Sequence, residues 1–280
     1  MPRIALGLEY DGTDFIGWQS QLSGRSVQDT LAAAVSFVAD ETVTVHGSGR
    51  TDAGVHALQQ VAHFDARVER TPRQWLLGIN SNLPPDVAVR WIQPVSQDFD
   101  ARRSALRRRY RYTILQQAAR PALLRARAWW LREALDCAAM TAAAAGWLGE
   151  HDFSAFRAAS CQATSPRRRL MAVEIARSGR AGATLVTLEF TANAFLHHMV
   201  RNLVGTLAAV GTGELTAAEA VAILARRDRT AAGVTAPAAG LALVEVSYPP
   251  HYGLPRNADD RDAAAEVSAI MPEVFRQAPP

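Results

Sequence analysis

The sequence predicts an α+β protein made of two halves of similar make-up, with a functional site at their junction. Three observations support this fold class. Several segments alternate apolar and polar residues, as strands do. Other segments place apolar residues at helical spacing after a capping residue. Both kinds of segment occur in residues 1–105 and again in residues 106–252. The 280 residues are 49% hydrophobic and 20% charged, which suits a globular protein with a sizeable core.

The first half, residues 1–105, begins with an alternating segment over residues 3–10 that predicts a strand. Ser26 and Asp29 form a capping box before a helix, and Thr71 and Gln74 form a second one. Pro72 occupies the first position of that second helix, which is predicted to end before Pro84-Pro85, and further strands are predicted near residues 60–66 and 87–92.

The second half, residues 106–252, repeats these kinds of element. Strands are predicted near residues 108–116, 170–176, 184–191 and 241–248, and helices over 134–148, from Ala194, and from Thr216 with Glu219 as its capping partner. Residues 253–280 lean acidic and predict a loose tail.

The composition excludes several kinds of chemistry. The chain contains no lysine, which rules out P-loop and Schiff-base lysines, and its two cysteines are too few for a four-cysteine zinc site. The dinucleotide fingerprint and the zinc motifs HExxH and PCxxC are missing, so we expect no cofactor. No apolar run approaches the roughly 18 residues of a membrane helix, and no signal peptide precedes the first strand, so we expect a cytoplasmic protein.

The charge is unevenly distributed along the chain. The formal net charge is +3, but residues 101–132 contain ten of the thirty arginines and no acidic residue. Such a block predicts a polyanionic partner on one face, and a merely solvated arginine-rich surface is the alternative.

A glycine-rich loop around Asp52 is the first candidate for catalysis. Gly47, Gly49 and Gly54 flank the pair Arg50-x-Asp52, and glycines allow close approach of a ligand. An arginine beside a carboxylate favours its ionised form, which can act as nucleophile or general base. An ordinary turn with a surface ion pair explains the same spacing.

The second candidate interleaves arginines and tyrosines over residues 107–114. On a strand, Tyr110 and Tyr112 share one face, whereas Arg109 and Arg111 share the other. This pattern suits nucleic acid, with Arg108 and Arg111 on phosphates and a tyrosine ring on an unstacked base. A strand that packs its tyrosines into the core is the alternative.

The third candidate is a predicted helix over residues 195–205, with an apolar stripe on one side. His197, His198, Arg201 and Asn202 fall on the other side, so Arg201 either points into a cleft or lies on an ordinary surface. Adjacent histidines diverge on a helix, and we therefore assign no metal.

These motifs, in this order, resemble the TruA family, tRNA pseudouridine synthase A. The string Gly-Arg-Thr-Asp-Ala-Gly-Val-His-Ala at residues 49–57 is similar to the family's signature. The other matching segments are Tyr10 to Gln19, Val27-Gln28, Phe99 to Arg102, Arg109 to Tyr112, His151 to Phe153, Phe195 to Gly205 and Gly240 to Tyr248. The resemblance covers about residues 3–250.

The resemblance implies a homodimer whose protomers have two subdomains of mainly antiparallel sheet, helices on one side and a central cleft. It implies a tRNA substrate, with uridines 38, 39 and 40 of the anticodon stem-loop as targets, and neither cofactor nor essential metal. It implies Asp52 as the catalytic carboxylate, Arg50 as its partner and Arg201 as the cleft arginine. Tyr110 is the implied tyrosine against the target base, with Tyr112 as the close alternative.

Two other functions fit parts of the pattern. A non-catalytic RNA-binding or RNA-chaperone protein would use the same arginines and tyrosines without needing Asp52. A nucleoside-bond hydrolase would normally need a second carboxylate, which the sequence does not offer.

Overall fold

A computed structural model describes residues 1–180 and 182–255, and these residues form a single sheet of ten strands with five α-helices. The strands are β1 (Arg3–Tyr10), β2 (His46–Gly47), β3 (His56–Asp65), β4 (Val87–Val95), β5 (Arg107–Gln116), β6 (Trp129–Leu131), β7 (Gly149–Asp152), β8 (Arg167–Arg180), β9 (Ala183–Ala192) and β10 (Leu241–Ser247). The helices are α1 (Val27–Ala39), α2 (Pro72–Asn82), α3 (Cys137–Ala145), α4 (Met199–Gly211) and α5 (Ala217–Arg226).

The order of strands is β4-β1-β3-β10-β5-β9-β8-β7, with β2 also paired to β3 and β6 to β5. Neighbouring strands are antiparallel except in the pairs β3–β10 and β5–β6. Helices accompany a mainly antiparallel sheet, which confirms the predicted α+β class.

Strand β10 joins the two halves of the chain. It pairs antiparallel with β5 and parallel with β3, the latter through only Ala242 opposite His56 and Leu243 opposite Ala57. The strands of residues 1–105 and of 106–252 therefore belong to one continuous sheet. The division into two subdomains at residue 105 remains a prediction.

The predicted helix starts are correct for the three helices whose capping residues the sequence analysis identified. Ser26 accepts from the backbone N–H of Asp29, and complete capping boxes begin α2 at Thr71 and α5 at Thr216. Helix α3 is shorter than predicted, because Asp136 caps it and it begins at Cys137. The three strands that alternation did not predict, β2, β6 and β7, have two to four residues each.

The predicted helix start at Ala194 is wrong. Helix α4 begins at Met199, and the residue before it, His198, has left-handed backbone angles with φ 61° and ψ 2°. The chain therefore turns sharply at His198 before the helix begins, and this turn shapes the candidate site.

Most of the predicted acidic tail, residues 256–280, lies outside the described residues. Just before it, the ring of Tyr252 packs edge-on against Phe99, with 5.0 Å between centroids. Across residues 1–180 and 182–255, no helix has the length and apolar character needed to cross a membrane.

Candidate active site

The loop that carries Asp52 connects β2 to β3 and rests on the segment that follows β1. The backbone N–H of Trp18 donates to the carbonyl of Thr51 at 3.1 Å, and the hydroxyls of Tyr10 and Thr51 are hydrogen-bonded at 2.8 Å. Gly17 has φ 108°, and a Cβ at this residue would lie 2.5 Å from the Thr51 carbonyl oxygen. Only glycine permits this close approach, which fixes the backbone beside Asp52.

The carboxylate of Asp52 is surrounded by three donor groups from the start of α4 and the turn before it. Arg201 Nη1 lies 3.1 Å from Oδ2, His197 Nε2 lies 3.2 Å from Oδ1, and His198 Nε2 lies 3.4 Å from Oδ2. The Asp52 side chain is 19% exposed and that of Arg201 is 15% exposed. A carboxylate held in this way keeps contact with solvent while its charge is compensated.

Arg201 is fixed by the backbone that runs beside α4. Its Nε donates to the carbonyl of Ala236 at 2.7 Å, and the N–H of Ala236 donates back to the carbonyl of Arg201 at 3.1 Å. Gly205 allows this segment to approach, because a Cβ there would lie 1.7 Å from the carbonyl oxygen of Val234. The guanidinium therefore reaches Asp52 from a rigid support.

The structure separates the two candidate tyrosines. Tyr110 is 8% exposed, its ring packs edge-on against Phe195 at 5.1 Å, and burial raises its pKa to about 12, opposed by Arg108 and reinforced by Asp52. Tyr112 is fully buried, and its hydroxyl donates to the carbonyl of Pro237 at 2.8 Å. Both rings belong to the core, but the charge of Asp52 acts on Tyr110, whereas Tyr112 is bonded to Pro237.

Arg50, predicted as the partner of Asp52, points elsewhere. Its Nη1 donates to Oε1 of Gln162 at 3.0 Å, and Arg201, not Arg50, forms the ion pair with Asp52. Residues two apart in an irregular loop need not face one another, so the sequence spacing misidentified the partner.

Arg108 and Arg111, predicted to bind phosphate, are both buried. Arg108 donates to the carbonyls of Ser48 at 2.7 Å, Arg102 at 2.9 Å and Asn193 at 2.9 Å, and burial lowers its pKa. Arg111 Nη2 lies 2.6 Å from a carboxylate oxygen of Glu189. The prediction for these two arginines is wrong in this structure, because their guanidinium groups are engaged inside the protein.

The argument against a metal at the adjacent histidines is also wrong. His197 and His198 lie before the helix, and with Asp52 they bring three ligand atoms within 4.8 Å of one another. Such a group can hold a dication, but Arg201 already places a positive charge 3.1 Å from the same carboxylate. The charge of Arg201 disfavours a cation at this carboxylate.

The sequence reasoning missed the contact of both histidines with Asp52. It placed His197 and His198 on the polar side of a helix, where neighbours point in different directions. No capping side chain marks the start of α4 at Met199, so the sequence carried no signal of this contact.

Comparison with known proteins gives the family of this chain. A family model described as tRNA pseudouridine synthase matches residues 8–102 and 143–249. Proteins named tRNA pseudouridine synthase A are 52% identical in Nitrosococcus oceani, over 91% of this chain and 96% of that one, and 52% identical in Xanthomonas euvesicatoria, over 90% and 98%. The relative in Alcanivorax borkumensis is 51% identical over 91% and 94%.

The match of residues 8–102 and 143–249 to this model places the mainly antiparallel α+β chain in the class of pseudouridine synthases. The chain belongs to the TruA family, tRNA pseudouridine synthase A.

Proposed function

We propose that this protein isomerises uridine to pseudouridine in tRNA, with Asp52 as the catalytic carboxylate. The observation that carries the proposal is the position of Asp52, partly exposed in a rigid loop and paired with Arg201 at 3.1 Å. The names of the curated relatives support tRNA as the substrate. A non-catalytic RNA-binding protein would have no need of such a carboxylate.

The reaction breaks the bond between C1′ and N1, turns the uracil, and joins C5 to C1′. C5 loses its proton and N1 gains one, so nothing is consumed and no oxidant or reductant is required. Asp52 can attack C1′, remove the C2′ proton, or add to C6 of the uracil. Each route begins from the ionised carboxylate, whose charge Arg201 compensates.

The target uridine must leave its stack to reach Asp52, which costs a few kcal/mol and is cheapest in loops. The charge of Asp52 acts on Tyr110, whose pKa burial raises to about 12, so at neutral pH Tyr110 offers a neutral aromatic ring. A base stacked on a tyrosine gains about 1–3 kcal/mol, which offsets much of the unstacking cost.

One assay tests this function against its alternatives. Transcript tRNA labelled at uridine C5 is incubated with the protein, and both released label and free uracil are measured. An isomerase releases the C5 label without free uracil. A nucleoside hydrolase releases free uracil, and a binding protein releases neither, so either of these results contradicts the proposal.

We further propose that the targets are uridines 38, 39 and 40 of the anticodon stem-loop. We also propose that the enzyme acts as a homodimer and that it works in the cytoplasm, where tRNA substrates are present. Mapping of pseudouridine in treated transcripts tests the positions. Light scattering at several protein concentrations tests the dimer, and a mass of one chain throughout contradicts it.

Substitutions at the two tyrosines should have different effects. We expect Tyr110→Leu to slow single-turnover label release by about 10–100-fold, because the base loses its stacking surface. Tyr112→Phe should leave turnover unchanged but lower the free energy of unfolding by about 0.5–1.5 kcal/mol, because the hydrogen bond to the Pro237 carbonyl is lost. Equal effects of the two substitutions on turnover would contradict the role proposed for Tyr110.

Phosphate contact is better assigned to the exposed arginines beside the Asp52 loop than to the buried ones. Arg102 and Arg103 are exposed. Arg108 donates to the carbonyl of Arg102 and also to that of Ser48, which lies at the start of the Asp52 loop. We expect Arg102→Ala with Arg103→Ala to weaken tRNA binding and to reduce the salt slope by about one per lost phosphate contact. The measurement is the dissociation constant at several salt concentrations.

Arg125→Ala is the matched control for this pair. Arg125 is also exposed, but its segment packs through Leu124 on Leu115, which lies on the face of β5 opposite to Tyr110. Its salt slope should equal that of the unsubstituted protein. An unchanged slope in the Arg102 and Arg103 variant would show that these side chains do not contact phosphate.

A further inference from the structure

Two histidines that the proposed reaction does not use converge on the catalytic carboxylate. His197 Nε2 faces one oxygen of Asp52 at 3.2 Å, and His198 Nε2 faces the other at 3.4 Å. Their ring centroids are 4.1 Å apart. Adjacent side chains diverge in helices and in strands, so their convergence requires a special backbone turn.

The turn is the left-handed conformation of His198, with φ 61° and ψ 2°. Few residues other than glycine adopt positive φ, and such conformations persist where the surrounding structure enforces them. Here the carbonyl of His198 accepts from the N–H of Asn202 at 2.9 Å, and the carbonyl of His197 accepts from Ala158 at 2.9 Å. Backbone hydrogen bonds from α4 and from the segment around Ala158 therefore hold the turn in place.

The surroundings of His197 indicate which ring nitrogen carries its proton. The hydroxyl of Ser160 lies 3.2 Å from Nδ1 of His197. When this hydroxyl donates to Nδ1, the ring proton is on Nε2, the nitrogen that faces Oδ1 of Asp52. In this tautomer His197 directs an N–H toward the carboxylate.

His198 is kept neutral by its surroundings. Burial lowers its pKa, the charge of Asp52 opposes this, and His197, Arg201 and Arg229 lower the pKa further. At neutral pH its contact with Asp52 is therefore that of a neutral polar ring rather than of a positive charge. Arg201 is the permanent cation at the carboxylate.

We infer that His197 and His198 are positioning residues that orient the carboxylate of Asp52 through one polar contact of Nε2 with each oxygen. The terminal torsion of a carboxylate is soft, and Arg201 contacts only one of the two oxygens. The two histidines define the plane of the group, and a reacting group displaced by about 1 Å can lose about 100-fold in rate. This inference rests on the proposed function of Asp52.

Matched substitutions at each histidine test the inference. Glutamine carries an amide N–H that reaches the position of Nε2, whereas phenylalanine keeps the ring but has no donor, and asparagine has a donor that is too short to reach. We expect His197→Phe and His198→Phe to slow single-turnover release of the C5 label by about tenfold, with the dissociation constant of tRNA unchanged. The glutamine variants should recover most of the rate, and the asparagine variants should not.

Two results would overturn the inference: phenylalanine variants as fast as the unsubstituted enzyme, or glutamine variants as slow as asparagine variants. The comparison of glutamine with asparagine retains its meaning even where a phenylalanine variant fails to fold. If the unsubstituted enzyme releases no label, the proposed function itself has failed. If it releases label and all histidine variants match it, only the positioning role has failed.

Discussion

Replacement of Asp52 by asparagine should abolish pseudouridine formation while leaving tRNA binding intact. The amide has nearly the shape of the carboxylate, so the loop held by Tyr10 and Gly17 should not rearrange. It can neither attack C1′ nor accept a proton, and loss of a group that carries the reaction costs on the order of 10⁴-fold or more. Release of the C5 label under single-turnover conditions measures the rate, and the dissociation constant is measured at fixed salt.

Asp65→Asn is the control for this substitution. Asp65 is also paired with an arginine, Arg3 at 2.8 Å, but it lies at the end of β3 far from the Asp52 loop. This variant should retain full turnover. If the Asp52→Asn variant releases label as fast as the Asp65→Asn variant and the unsubstituted enzyme, Asp52 is not the catalytic carboxylate.

Features set by local chemistry were predictable from the sequence. The capping boxes at Thr71 and Thr216 place helix starts correctly because a cap depends on residues only three positions apart. The start of α4 has no such cap, and the left-handed turn at His198 could not be read from apolar spacing. Strand β2 has two residues, which is too short to show alternation.

The surroundings of Asp52 depend on contacts between distant parts of the chain. Arg50 is close in sequence but contacts Gln162, whereas Arg201, 149 residues away, contacts the carboxylate. The resemblance to a family implied Arg201 as a cleft arginine, but the resemblance and the spacing both assigned Arg50 as the partner of Asp52. Charge counting failed for Arg108 for the same reason, because three backbone carbonyls from separate segments surround its guanidinium.

Replacement of Arg201 by lysine should lower turnover by about 100-fold without loss of the fold. The guanidinium donates through Nε to Ala236 and through Nη1 to Asp52, and a lysine ammonium cannot reproduce this planar, two-sided contact. Loss of one preorganised electrostatic group at a reacting centre costs about 10²–10³ in rate. Single-turnover label release and thermal unfolding are measured together.

Arg201→Met separates charge from geometry. It removes the positive charge as well as the hydrogen bonds, so its rate should fall below that of the lysine variant, because the ionised Asp52 then lacks its permanent cation. If both variants retain the full rate, Arg201 has only a structural role. If lysine restores the full rate and methionine does not, charge alone is sufficient, and the rigid support given by Ala236 has no part in catalysis. The intermediate rate expected for lysine would mean that both the charge of Arg201 and its fixed direction act on Asp52.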